Sequence, residues 1–203
     1  MNSLQYKETL LKDVIPFWEK NSLDTVHGGY FTCLDRKGKV FDTDKFVWLQ
    51  GRQAWMFSFL YNNVEKNERW LEISRSGIDF LRNHAMDPEG NFYFSTTREG
   101  KPLVQPYNIF SDCFAAMAFG QYAKASGDEE VKQLAQRTYA NILRKKNDPK
   151  GIYEKSTGNR PLKGFSLPMI LSNLVLELED VLSEQVVEET LDLSVHEVME
   201  VFL

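Results

Sequence analysis

Lys45–Tyr61, KFVWLQGRQAWMFSFLY, decides how the chain is read. At helical spacing Trp48, Trp55 and Phe59 fall on one face, and the step from 48 to 52 to 55 to 59 puts Arg52 in the middle of that aromatic stripe. A guanidinium cannot shed its charge, and desolvating it costs roughly several kcal/mol, so it is seldom buried without a partner. Two readings follow. Arg52 pairs with a carboxylate elsewhere in the fold, or it stands in a wet, aromatic-lined cavity that takes a polar ligand.

Upstream, a first helix is predicted over about 4–19, with Leu11, Val14, Ile15 and Trp18 as its apolar stripe and Pro16 ending or kinking it early. His27-Gly28-Gly29 then breaks the chain. Tyr30–Leu34 and Lys39–Phe41 read as strands about the turn Asp35-Arg36-Lys37-Gly38. Asp42, Thr43 or Asp44 caps the second helix, which runs to about Asn62. Asn67 caps a third helix, through Trp70, Ile73, Ile78 and Leu81, to about His84. Downstream, Asp87-Pro88-Glu89-Gly90 is a turn, Asn91–Thr96 a strand and Arg98-Glu99-Gly100-Lys101 a second turn, closed by Pro102. A fourth helix spans Phe110–Ser126, with Phe110, Phe114 and Met117 on one face and Gly127 as its stop; Asp128 starts a fifth. After Asp148-Pro149-Lys150-Gly151 and Ile152-Tyr153-Glu154, a sixth helix covers about 166–182 and a seventh about 184–202.

The walk exposes a repeat. Arg36-Lys37-Gly38-Lys39 returns as Arg98-Glu99-Gly100-Lys101, 62 residues on (98 − 36), and Asp87-Pro88-Glu89-Gly90 as Asp148-Pro149-Lys150-Gly151, 61 residues on (148 − 87). The unit is hairpin, helix, helix. Stacked helix pairs form an open solenoid or a closed toroid, which periodicity alone does not separate. The aromatic faces of the second and fourth helices favour a ring with those helices inside and the hairpins at its mouth, near Trp48, Arg52 and Phe110. The first helix then awaits a partner from a later repeat.

Composition fits this all-α reading. The chain has 203 residues, 42% hydrophobic and 26% charged, enough for one sizeable core. Its net charge of −5, with Arg144-Lys145-Lys146 reading as a helix C-terminus, argues against a nucleic-acid partner. No apolar run reaches membrane-span length, and residues 1–12 hold no secretory h-region. Cys33 and Cys113 stand far apart without metal or redox spacing, so a reduced pair in the cytosol is expected.

Few residues carry chemistry by spacing. His27, His84 and His196 form no metal set with one another or with Cys or Asp, and no metal or cofactor is expected. The pair Asp42 and Asp44 reads as helix capping. A barrel glycoside hydrolase would need paired carboxylates at the mouth, and Asp42, Asp44 and Asp112 all lie off the aromatic stripe. No nucleophile elbow, phosphate loop or dinucleotide fingerprint is present.

Gly28–Met56, GGYFTCLDRKGKVFDTDKFVWLQGRQAWM, closely resembles the N-acylglucosamine 2-epimerase family, and Asn108–Phe114 and Leu167–Val175 extend the resemblance over nearly the whole chain. It implies an (α/α)6 toroid, here an incomplete barrel of about seven helices with short β-hairpins before the inner ones: one domain, 1–203, corresponding to the family's N-terminal half. It also implies C2 epimerisation of N-acetylglucosamine and N-acetylmannosamine by proton abstraction and return. Relatives act on mannose, cellobiose or sulfosugars. Arg52 resembles the family's inner-helix Arg, which steadies the substrate oxygen and the developing enolate. Trp48, Gln50, Trp55 and Phe110 are the candidate substrate-binding residues.

The family's two catalytic His residues belong to its second half, and His27, His84 and His196 do not match their positions. Where cellobiose-type relatives carry a Tyr and a His, this chain has apolar residues near Phe110 and Ile170, which points to the N-acetylhexosamine branch. A half ring would expose a large apolar wall, so the expectation is a fragment, or a half that pairs with another chain as a homodimer or with a complementing second half. The competing reading is a non-catalytic half-barrel that binds carbohydrate or protein.

Overall fold

The computed structural model describes residues 2–106, 108–146, 159 and 164–203. The first rod runs as α1 (Ser3–Thr9), a π-helical turn (Leu10–Val14) and α2 (Ile15–Asn21). Pro16 therefore does not end it. The wider turn just before Pro16 absorbs the mismatch: the Ile15 N–H donates to the Leu10 carbonyl five residues back, and Pro16 enters at the start of α2, where no N–H is needed.

Gly28 and Gly29 both take left-handed φ, 74° and 65°, and turn the chain into Tyr30. Strands β1 (Cys33–Leu34) and β2 (Val40–Asp42) form an antiparallel hairpin. A second sheet orders β3 (Lys45–Phe46), β4 (Ser95–Thr96) and β5 (Pro102–Val104) antiparallel. This corrects the expected start of the second helix. Lys45 and Phe46 are drawn into pairing with Thr96 and Ser95, and the helix begins at Val47. Asp42 is not its cap; the Asp42 carboxylate accepts the Asp44 N–H at 3.0 Å within the preceding turn.

The helix pairs follow: α3 (Val47–Asn63) with α4 (Glu68–His84), α5 (Phe110–Ser126) with α6 (Glu129–Lys145), and α7 (Ser166–Glu177) with α8 (Glu184–Glu197), which runs on into a π turn (Val198–Phe202). Helix α7 is shorter than the spacing predicted, while α8 with its π turn covers the expected 184–202. Counting α1 and α2 as one, seven rods stand among the described residues. The caps follow local chemistry. Asn67 accepts the Arg69 N–H, Asp128 accepts those of Glu130 and Val131, and Gly127 closes α5 with φ 72°.

The repeat is visible in the hydrogen bonds. In the first turn the Asp35 N–H donates to the Lys39 carbonyl and the Gly38 N–H to that of Asp35. One repeat later the Thr97 N–H donates to Lys101 and the Gly100 N–H to Thr97, with Gly38 and Gly100 at φ 84° and 89°. The turn at Asp87–Gly90 forms as expected; its counterpart Asp148–Gly151, and Ile152-Tyr153-Glu154, lie outside the described residues.

Helices α3, α5 and α7 pack side by side as an inner layer, backed by α4, α6 and α8. Burial matches this. Helix α5 is buried without interruption from Ala115 to Ala123, whereas α4 and α6 bury one stripe each. Close approach of α3 to α5 rests on Gly51, where a Cβ would come within 2.7 Å of the Phe114 main-chain carbonyl. The sheet stands at the N-terminal end of α3, where the Val47 N–H donates to the Phe94 carbonyl.

Candidate active site

The aromatic stripe of α3 lines a groove of about 410 Å³. Trp48, Arg52 and Trp55 stand in it together, joined by Trp18 from α2 and Thr32 from the chain just before β1. Arg52 is exposed. Its guanidinium lies 5.1 Å from the centre of the Phe114 ring, one repeat on from Arg52 itself (114 − 52 = 62). None of the ion pairs among the described residues includes Arg52. Of the two sequence readings, the open aromatic groove is the one the structure displays. Phe114 orients the planar cation from one side, and among the described residues no carboxylate pairs with its N–H fork, which can meet an anionic or hydroxyl oxygen.

The wall around Arg52 is rigid. The Trp48 ring lies 6.0 Å from that of Phe114, and Trp55 lies 5.2 Å from Phe59. Trp55 is held further by its indole N–H, which donates to Glu177 Oε2 on α7 at 2.7 Å. Stacked, amphipathic rings of this kind suit the apolar faces of sugars.

Two of the sequence candidates stand apart. Gln50 is fully buried, with its amide closed on one residue: Oε1 accepts the Tyr30 N–H and Nε2 donates to the Tyr30 carbonyl, both at 2.8 Å. It faces the loop rather than the groove, so the structure moves it from substrate contact to scaffold. Phe110 is half-buried at the first turn of α5, its N–H bound to Asn108 Oδ1, and it is not part of the groove lining. Phe114, one turn further, is the ring that meets Arg52. The repeat offset from Arg52 is the signal that would have found it. Glu177 has no such signal, because its partner is 122 residues away.

The three His residues stay out of the groove. His27 and His84 line a separate cleft of about 350 Å³ against α4, and His196 is exposed on α8. Among the described residues no group of His, Cys, Asp and Glu could hold a metal ion. Cys33 is half-buried and Cys113 is buried in α5.

Comparison with known proteins agrees with this geometry. The family model for N-acylglucosamine 2-epimerase (GlcNAc 2-epimerase) matches residues 29–202. N-acylglucosamine 2-epimerase of Mus musculus is 36% identical over 201 residues, covering 95% of this chain and 48% of that protein. Cellobiose 2-epimerase of Ruminococcus albus is 31% identical over 153 residues, covering 74% and 39%. The chain spans about half the length of the curated relatives it matches or less. A sugar epimerase from a ruminal bacterium superimposes with a TM-score of 0.80 at 24% identity, over 98% of this chain and 55% of that one. The structure of a D-mannose isomerase does so with 0.79 at 16%, over 97% and 51%. These neighbours share the fold, an (α/α)6 barrel of which the present helices form about half. With its inner helices, its hairpins and 174 consecutive residues matched to one family model, the chain belongs to the N-acylglucosamine 2-epimerase family.

Proposed function

We propose that the chain forms the Arg52 wall of a sugar 2-epimerase acting on N-acetylglucosamine and N-acetylmannosamine. The observation that carries this is a guanidinium without an ion pair among the described residues, stacked on Phe114 and flanked by Trp48 and Trp55. In the open-chain sugar, a base removes the C2 proton, electron density moves onto the aldehyde oxygen as an enolate, and a proton returns to C2 from the other face. Arg52 holds that oxygen as its charge develops, and the tryptophans hold the sugar carbons and the acyl group. The groups that move the proton are assigned outside these 203 residues, because His27, His84 and His196 do not line the groove.

Exposed apolar side chains support a ring completed by further helices. Leu10 and Val14 mark one flank, and Leu193, Val195 and Val201 the other. The remaining helix pairs come from more of the same polypeptide, from a complementing half or from a second copy. No helix among the described residues is long and apolar enough to cross a membrane. A second reading, a carbohydrate-binding half-barrel without turnover, is favoured by the same placement of the His residues.

The test is a calorimetric titration with N-acetylmannosamine, with proton NMR of the sugar in D2O. Binding that disappears in Arg52→Ala, without exchange at C2, is the expected result. C2 exchange catalysed by these residues alone would overturn the placement of the bases, and no binding by the folded chain would overturn the groove as a sugar site.

A further inference from the structure

Two clefts lie on the outside of the fold. One is the cleft beside His27 and α4; the other, of about 640 Å³, lies between the Asp87–Gly90 turn and α6. They occupy equivalent places in successive repeats and belong to the way each turn packs on its outer helix.

The inner face carries something the repeat does not explain. Trp55 Nε1, at the middle of α3, and Gln121 Nε2, in the second half of α5, both donate to Glu177 Oε2 at the C-terminal end of α7, at 2.7 and 3.1 Å. Gln121 is itself held from α3, where Asn62 Nδ2 donates to its side-chain and main-chain oxygens, each at 3.0 Å. One carboxylate oxygen therefore links all three inner helices and takes the single N–H that an indole can donate. The Trp55 ring is held at that N–H by Glu177 and packs against Phe59, two contacts that set its plane.

We infer that Glu177 is a positioning residue for the sugar wall: it sets the plane of Trp55, and through Trp55 the fit of the substrate beside Arg52. This rests on the groove being the sugar site. An aromatic wall recognises a sugar by the angle of its face, so an unanchored indole keeps its area and loses its alignment.

The test uses Glu177→Met, Glu177→Gln, Trp55→Phe and the double variant E177M/W55F. Two readouts are taken: the near-UV circular dichroism due to Trp55, obtained by subtracting the W55F background, and the affinity for N-acetylmannosamine. Met removes the acceptor, so the Trp55 signal should change and affinity should fall about tenfold, the effect of one lost charge-assisted hydrogen bond. Gln should restore both, because one oxygen accepts both donors. In the W55F background, E177M should leave affinity unchanged. An unaltered Trp55 signal in folded E177M, or an equal loss of affinity with and without Trp55, overturns the inference. If E177M does not fold, Glu177→Asp takes its place, since a shorter side chain draws the acceptor back from Nε1. If the unsubstituted chain binds no sugar, the functional reading fails, while the Trp55 signal still decides whether Glu177 positions the ring.

Discussion

Lys45 and Asp24 form an ion pair of 3.1 Å in which both side chains are fully shielded from solvent. The remaining Lys45 protons go to the carbonyls of Gly28, at 2.6 Å, and Arg98, at 2.9 Å. Arg98 in turn forks onto Asp24, Nε to Oδ2 at 2.9 Å and Nη2 to Oδ1 at 3.0 Å. The cluster ties the loop after α2, strand β3 and the second hairpin into one unit. Replacing Asp24 with Asn leaves the Lys45 ammonium buried without a counter-ion, at a cost of about 3–5 kcal/mol. Thermal unfolding followed by circular dichroism should show a Tm lower by roughly 10 °C or more.

The same carboxylate gives the fold an acid limit. Burial alone would push the Asp24 carboxyl up, but donation from Arg98, Lys45 and the His27 and Val26 N–H groups outweighs it and holds the carboxyl well below the usual carboxylate range. Its pKa is therefore lower folded than unfolded, where it is about 3.9. Its stabilisation is complete above that value and is lost as pH falls below about 4 towards the folded value. Urea midpoints measured from pH 6 downwards should fall more steeply below about pH 4 for the natural chain than for D24N. Parallel curves would show that another carboxylate sets the limit.

Gly51→Ala tests the packing that brings Phe114 under Arg52. Helix propensity alone favours Ala by about 1 kcal/mol. Here the new Cβ meets the Phe114 carbonyl at 2.7 Å and the Ala115 nitrogen at 3.0 Å, and main-chain atoms cannot swing aside as a side chain can. The two inner helices must part, so a net loss of about 1–3 kcal/mol is expected. A denaturant titration that shows G51A equal to or more stable than the natural chain would mean that α3 slides without cost.

Much of the helical frame was legible because its signals are local. Asn67, Asp128 and Gly127 close or open helices through bonds to residues two to four positions away, and the turn pattern about Gly38 and Gly100 repeats within five residues. Misreadings arise where the partner is distant. Lys45 looks like a helix residue until β4, about 50 positions on, takes it as a strand, and its buried charge is explained only by Asp24 and Arg98. Gln50 sits beside Trp48 and Arg52 in sequence, yet at helical spacing its side chain turns to the Tyr30 main chain. Pro16 misleads for another reason: a π turn can absorb a missing N–H, and no residue pattern announces it.

The removal of Gln50 from the site carries its own prediction. Gln50→Ala leaves the Tyr30 N–H and carbonyl without their partner inside the fold, where each unpaired group costs about 1–3 kcal/mol. Stability should drop by a few kcal/mol in the combined case, roughly additive at most. Sugar affinity of the folded fraction should hold, because the groove lining does not include Gln50. A variant of normal stability with lost affinity would return Gln50 to the substrate-binding set.

Arg52→Lys separates charge from geometry. Lysine keeps the positive charge in the groove but gives up the planar fork and the broad stack on Phe114. Arg52 is exposed and belongs to none of the ion pairs among the described residues, so Tm should stay within about 1–2 °C of the natural value. If the fork holds the sugar oxygen, N-acetylmannosamine affinity should fall about tenfold or more, the cost of replacing paired, directed hydrogen bonds with one point charge. Titrations at two salt concentrations sharpen the result. A contact by charge alone would survive in R52K and weaken in both proteins as salt rises. A contact by the oriented fork would be lost in R52K at either concentration. Retained affinity in R52K, with a shared salt dependence, would reduce Arg52 to an electrostatic attractor and leave the holding of the developing oxyanion to another group.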